Sequence, residues 1–155
     1  MEIIKDVKEA WGWVGIDPVE IVTENEFGNL IIKDAENKFW RICPEEIYCE
    51  VIAESVAAYN LLIMDAKFLD DWNMAGLVDV AIKKLGPLKD GYKYYLAIPG
   101  ILNGEYNKSN IKTAPFDKII KWSGDLGYQV KDLKDGSEVE LKEIDEQLGQ
   151  GKTLN

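Results

Sequence analysis

The apolar positions of this chain change their spacing several times, and each change marks an element. Ile3, Ile4, Val7 and Trp11 fall on one stripe of a helix within residues 1–14. Gly12, Gly15 and the pair Asp17-Pro18 end it. Strand-like runs follow at residues 19–23, 27–33, 39–43 and 47–53. Residues 34–38 read as a turn, because Asp and Asn side chains bond their own backbone. In the fourth run Ile47, Cys49, Val51 and Ala53 are expected on one face, with Tyr48, Glu50 and Ile52 on the other.

The helical period then returns. Ser55 is a candidate N-cap, and Val56, Tyr59, Leu62 and Ile63 form a stripe behind it. Residues 65–72 continue that helix or make a short second one. Asn73 is expected to cap a further helix carrying Leu77, Val78, Ala81, Ile82 and Leu85, stopped by Gly86-Pro87. Aromatic residues mark a strand over 92–98, and residues 99–113 read as a loop with a turn at Asn103-Gly104. A last helix is expected from about Thr113 and Pro115, burying Phe116, Ile119, Ile120 and Val130. Lys134-Asp135-Gly136 then turns into a final strand over 138–144, with Val139 and Leu141 facing in. The pattern predicts an α+β domain over residues 1–145, a mostly antiparallel sheet of about five or six strands packed against three or four helices. Residues 146–155 are polar and read as a flexible tail.

Charge narrows the partners. Among 155 residues, 28 are acidic and 18 basic, for a net charge of −10; histidine is absent and Arg41 is the only arginine. Binding to nucleic acid through phosphates needs clustered Lys and Arg, so neither nucleic acid nor an anionic membrane is expected as a partner. A protein with a basic surface would be attracted. The two cysteines, Cys43 and Cys49, sit among strand-like apolar residues and read as buried thiols. With no signal segment and no apolar run of about 18 residues, the expected location is the cytoplasm.

Candidate chemistry is thin. Without histidine, Ser-His-Asp and Cys-His arrangements are impossible, and so are His-based metal sites. The spacing of Cys43 and Cys49 does not fit a zinc knuckle, and Phe39 stands where a calcium loop starting at Asp34 needs glycine. Gly151-Lys152-Thr153 ends like a phosphate loop, but Glu146 occupies the position of its first glycine. No cofactor, metal or catalytic residue is therefore expected. The adjacent pairs Glu45-Glu46 and Asp70-Asp71 read as solvated helix ends rather than acids held across a cleft. Arg41 is expected to pair with an internal carboxylate. Trp11 and Trp40 read as core, whereas Trp72 and Tyr106 are the better surface aromatics.

Two blocks stand out. The first is Phe27-Gly28-Asn29-Leu30 followed by Trp40-Arg41-Ile42-Cys43-Pro44-Glu45-Glu46. The second is Ile98-Pro99 and Asn103-Gly104-Glu105-Tyr106 with Asn110, preceded by Leu85-Gly86-Pro87-Leu88 and followed by Ser123-Gly124-Asp125-Leu126. Over residues 27–141 this combination resembles the C-terminal domain of the Tdi-type immunity proteins of type VI secretion systems. Asn103 and Lys134 replace a Gly and a Pro at turns of that pattern, substitutions that such turns tolerate. The resemblance implies a non-enzymatic bacterial α+β domain that binds and occludes a cognate secreted toxin, of nuclease type and with a basic surface. Asp70, Asp71, Trp72, Glu105 and Tyr106 are the candidate contacts with that toxin. The alternatives are an adaptor domain without a toxin partner and a carboxylate-dependent small hydrolase, which would need a deep pocket holding two acids.

Overall fold

A computed structural model describes residues 2–134, 136–142, 144 and 149–153. The first helix, α1 (Glu2–Trp11), runs into a single 3-10 turn, Gly12–Val14, closed by Gly15 at φ 96°. Four antiparallel strands follow, β1 (Pro18–Glu24), β2 (Leu30–Asp34), β3 (Phe39–Cys43) and β4 (Tyr48–Ala53), in the order β1-β2-β3-β4. Three helices come next, α2 (Val56–Leu62), α3 (Ala66–Asn73) and α4 (Ala75–Leu85). A two-stranded pair, β5 (Tyr92–Leu96) and β6 (Ile111–Pro115), leads into the long helix α5 (Phe116–Val130). A second pair, β7 (Glu138–Lys142) and β8 (Gly149–Thr153), ends the described chain.

The α+β reading and the antiparallel pairing therefore hold. The described residues carry eight strands in three sheets and five α-helices, somewhat more elements than the pattern predicted. The additional strands are β6, which takes the end of the region read as a loop and the expected start of the last helix, and β8, inside the region read as a tail. Residues 145–148 and 154–155, and Asp135 of the expected turn, lie outside the described residues.

Both faces of the four-stranded sheet are covered, which explains the uninterrupted Leu30-Ile31-Ile32 run. Leu30, Ile32, Ile42 and Cys49 face α1 and α5, against Val7, Trp11, Ile120, Leu126 and Val130. Ile31 and Phe39 face α2 and α3, against Tyr59, Phe68 and Trp72. The expected alternation in β4 breaks near its end. Trp40 pairs with Val51 but Phe39 with Ala53, so the chain bulges at Ile52 and Ala53 packs on the face opposite Cys49.

Helix α5 packs on α1 through small residues. A side chain at Gly124 would run into the Ala10 carbonyl, and one at Gly127 would lie 2.7 Å from the Trp11 ring. The buried face of α5 includes the four residues expected from the pattern, together with Ser123, Leu126 and the two glycines. A third apolar group, Phe27, Tyr94, Leu96 and Ile111 with Leu77 and Val78, fixes α4 against β5 and β6. The backbone N–H of Tyr94 donates to the Glu26 carbonyl at 2.9 Å and links the β5-β6 pair to the approach of β2.

The helix ends differ in one respect from the sequence reading. Ser55 caps α2 by accepting from the Ala58 N–H at 3.0 Å, as expected. Asp65 caps α3, which makes residues 65–72 a separate helix. Asn73, however, is the last residue of α3, and Met74 at φ 48° joins α3 to α4 without a side-chain cap.

Candidate functional site

The first marked block folds around Arg41, and the second meets it at the Pro44–Glu46 turn, where Tyr106 bonds Glu46. Asn25 prepares the meeting: its Oδ1 accepts the N–H groups of Phe27 and Asn29 at 3.0 Å each, and its Nδ2 donates to the Trp72 carbonyl at 2.8 Å. Gly28 takes φ 74° in this tight loop, and Asn29 enters β2 fully buried. Arg41 Nε then donates to Asn29 Oδ1 at 2.9 Å, and Asn29 Nδ2 donates to Glu45 Oε1 at 2.8 Å. The other arm of the guanidinium donates to Asp71 Oδ2 on α3 at 2.6 Å. The result is one chain of polar groups, Asp71–Arg41–Asn29–Glu45, with only Asp71 at the solvent. A side chain that must be buried and charged is tolerated when its donors are filled in this way.

Glu45 lies in a 3-10 turn, Pro44–Glu46, that begins with proline and ends at Ile47 with φ 53°. A left-handed β-branched residue costs on the order of 1–3 kcal/mol. Its buried side chain and the inward carboxylate of Glu45 hold it in place. This corrects the reading of Glu45-Glu46 as a solvated helix start, because Glu45 is 5% exposed. Burial raises the Glu45 pKa, although Asn29, the Cys43 thiol and Arg41 act in the opposite direction. Burial, followed by the Glu45 charge, pushes the Cys43 thiol up, and burial with the neighbouring Cys43 raises Tyr48. Burial would lower the Arg41 pKa, but the bond to Asp71 and the surrounding acids outweigh it. Both cysteines are free and buried, as the sequence suggested.

The expected contact residues take three different roles. Trp72 is not at the surface. It is 8% exposed, stacks on Phe68 with centroids 6.4 Å apart, and lies under the Arg41 guanidinium at 5.2 Å. The cap at Asp65 sets the phase of α3, and Phe68 and Trp72, one turn apart, both point inward. Asp70 and Asp71 are on the outer side of the same helix, with the Asp71 side chain 70% exposed although bonded to Arg41. Glu105 and Tyr106 are exposed in the loop between β5 and β6. Glu105 accepts from Asn107 Nδ2 at 2.7 Å, and the Tyr106 hydroxyl donates to Glu46. Burial and the carboxylate of Glu46 raise the Tyr106 pKa. Asp71 and Tyr106 thus mark two ends of one assembly joined through Arg41 and the 44–46 turn.

Asn110 holds the Tyr106 loop in shape. It accepts from the Ile98 N–H at 2.8 Å and donates to the carbonyls of Ile98 and Glu105 at 2.7 and 2.9 Å. Asn103 takes φ 68° at the turn read from the sequence. Tyr94 donates its hydroxyl to the Gly86 carbonyl at 2.5 Å. Most of the marked residues therefore close turns or fill buried polar bonds.

The arrangement gives little to acid–base chemistry. Its two carboxylates at Asp71 and Glu45 are separated by the buried Arg41 and Asn29 rather than facing each other across a cleft. A groove of about 390 Å³ between α1 and α5 is lined by Glu9, Trp13, Lys121, Asp125 and Tyr128, and contains none of these residues. Among the described residues no three His, Cys, Asp or Glu side chains are grouped to hold a metal ion. Among them, too, no helix is long and apolar enough to cross a membrane.

Asn29 and Glu45 are the members of this network whose buried bonds the sequence reading did not expect. A polar Asn heading the apolar run Leu30-Ile31-Ile32, and a carboxylate directly after a proline, are the signals that could have pointed to them. No curated protein matches the chain. Residues 53–127, from the last residue of β4 into α5, match the family described as the T6SS immunity protein Tdi1, C-terminal.

Proposed function

We propose that the protein is an immunity protein that binds a co-produced secreted toxin of nuclease type and occludes it, with no chemistry of its own. The observation that carries this reading is the family match over residues 53–127. The net charge of −10 supports a basic partner, since a nuclease must present positive potential to phosphates and an acidic protein competes for the same surface. The site of action is the cytoplasm, where an incoming toxin would meet nucleic acid. Contacts from Asp70, Asp71, Glu105 and Tyr106 belong to this proposal, with Trp72 supporting α3 from beneath.

A stable complex would bury about 800 Å² on each partner. Rim carboxylates would chiefly raise the association rate, so association should slow as salt increases. The test is co-expression with the product of the adjacent reading frame. Rescue of growth from a toxic neighbour is expected. A neighbour that is harmless alone, or one equally toxic in the presence of this protein, would reject the reading.

A further inference from the structure

The helical hairpin α2–α3 is held to the sheet by few side chains. Helix α2 contains no buried residue. Its anchor is Tyr59, stacked on Phe39 with centroids 4.2 Å apart and planes 1° from parallel. At the end of α2 Leu61 is 71% exposed, in the connection Ile63 is 38% and Met64 78%, and in α3 Leu69 is 37%. Burying a side chain of this size is worth on the order of 1.5–3 kcal/mol, which the isolated fold leaves unused. The surroundings are acidic. Along residues 54–71 stand Glu54, Asp65, Asp70 and Asp71 against Lys67, with Lys38 reaching Glu54 at 3.9 Å and Arg41 holding Asp71, in a chain whose net charge is −10.

We propose that this turn is the principal contact with the toxin, Leu61 and Met64 entering an apolar depression whose rim carries Lys or Arg. The proposal rests on the immunity reading and names its binding face. An apolar centre inside a charged rim is the anatomy of a specific protein interface. Long unbranched or flexible apolar residues such as Met also adapt to a partner's irregular surface. The charge selects the occupant. A second copy would bring −10 against −10, and an anionic membrane would be repelled. A partner with a basic rim gains from both parts of the surface. The whole hairpin lies inside the matched segment, residues 53–127.

The experiment measures binding of the intact protein to the product of the adjacent reading frame, prepared with its nuclease activity disabled. The double variant Leu61→Asp/Met64→Asp should bind about thirty-fold more weakly or worse, mainly through faster dissociation. Glu54→Lys/Asp70→Lys should associate more slowly and with a weaker salt dependence. Leu133→Asp, an equally polar change at an exposed site away from the hairpin, should bind as the wild type does. Urea midpoints close to wild type establish that each variant is folded. Wild-type affinity in the Leu61→Asp/Met64→Asp variant would overturn the proposal and leave the immunity reading standing. A wild-type dimer that this variant dissociates would overturn it by giving the face to a second copy. Failure of the wild type itself to bind would remove the immunity reading, and this inference with it.

Discussion

Replacing Arg41 by methionine should destabilise the fold far more than replacing its exposed partner, Asp71, by asparagine. The Asp71 side chain is 70% exposed, so solvent screens its half of the ion pair, and Asp71→Asn should cost about 1 kcal/mol or less. The Arg41 side chain is 5% exposed and serves more than Asp71. Methionine keeps the packing of the aliphatic stem. It leaves Asn29 Oδ1 without its donor, a loss of about 1–3 kcal/mol for a buried acceptor. It also removes the cation from the Trp72 ring, worth about 1 kcal/mol, and the charge that favours an ionised Glu45. A total near 3 kcal/mol is expected, in line with breaking one side of a buried ionic network. For a chain of this length that corresponds to a melting point lower by about 6–12 °C. Urea unfolding followed by tryptophan fluorescence, with unchanged slope, measures both variants. If Asp71→Asn costs as much as Arg41→Met, the network is a surface ion pair and the reasoning is wrong.

Three further outcomes follow from the same structure. Because burial raises the folded-state pKa of Glu45 above its ordinary 4.5, the fold holds that proton more tightly than the unfolded chain does. This contribution to stability is complete below about 4.5 and is lost as pH rises through the folded pKa. The stability difference between Glu45→Gln and wild type should therefore shift in favour of the variant across that window in urea titrations at successive pH values, and a flat difference would contradict it. Gly124→Ala should destabilise by about 1–2 kcal/mol despite the roughly 1 kcal/mol gain in helix propensity, because the new methyl meets the Ala10 carbonyl; a raised melting point would show that α1 can move aside. Burial pushes Cys49 to about 12 and raises Cys43 as well, so neither thiol should react with a thiol-specific chromogenic disulfide at neutral pH until urea unfolds the chain. Rapid labelling of the native protein would place one of them at the surface.

How far the sequence could be read depended on whether local pattern or tertiary contact decided the outcome. β3 was legible because turn residues bound it, and the turn works as its composition suggests: Asp34 accepts the N–H groups of Glu36 and Lys38 at 2.8 and 2.9 Å and the Trp40 indole at 2.8 Å. β6 was not, since its burial alternates poorly, only Ile111 and Ala114 are buried, and it pairs along one side alone. Helical period was visible in α2 and α4, but which stripe is covered was not: Val56, Ile63, Ile82 and Leu85 remain exposed while Tyr59 and Ala81 carry the packing. Trp72 was placed outside because two acids precede it, whereas its distance from Phe68, one helical turn, was the better guide. At Glu45, neighbouring charge suggested solvent, and a turn of only three residues decided otherwise.

The outer strands of the larger sheet have a consequence for how this molecule can be grasped. Along β1, a proline at the start and two breaks in register interrupt the ladder, and along β4 another break falls near the end. An incoming peptide finds no even row of amide groups to extend. Strand addition, one recurring way of capturing an extended segment, is thereby discouraged at both margins. Recognition is left to side chains, which can tell one ligand from its near neighbours where a bare main chain cannot.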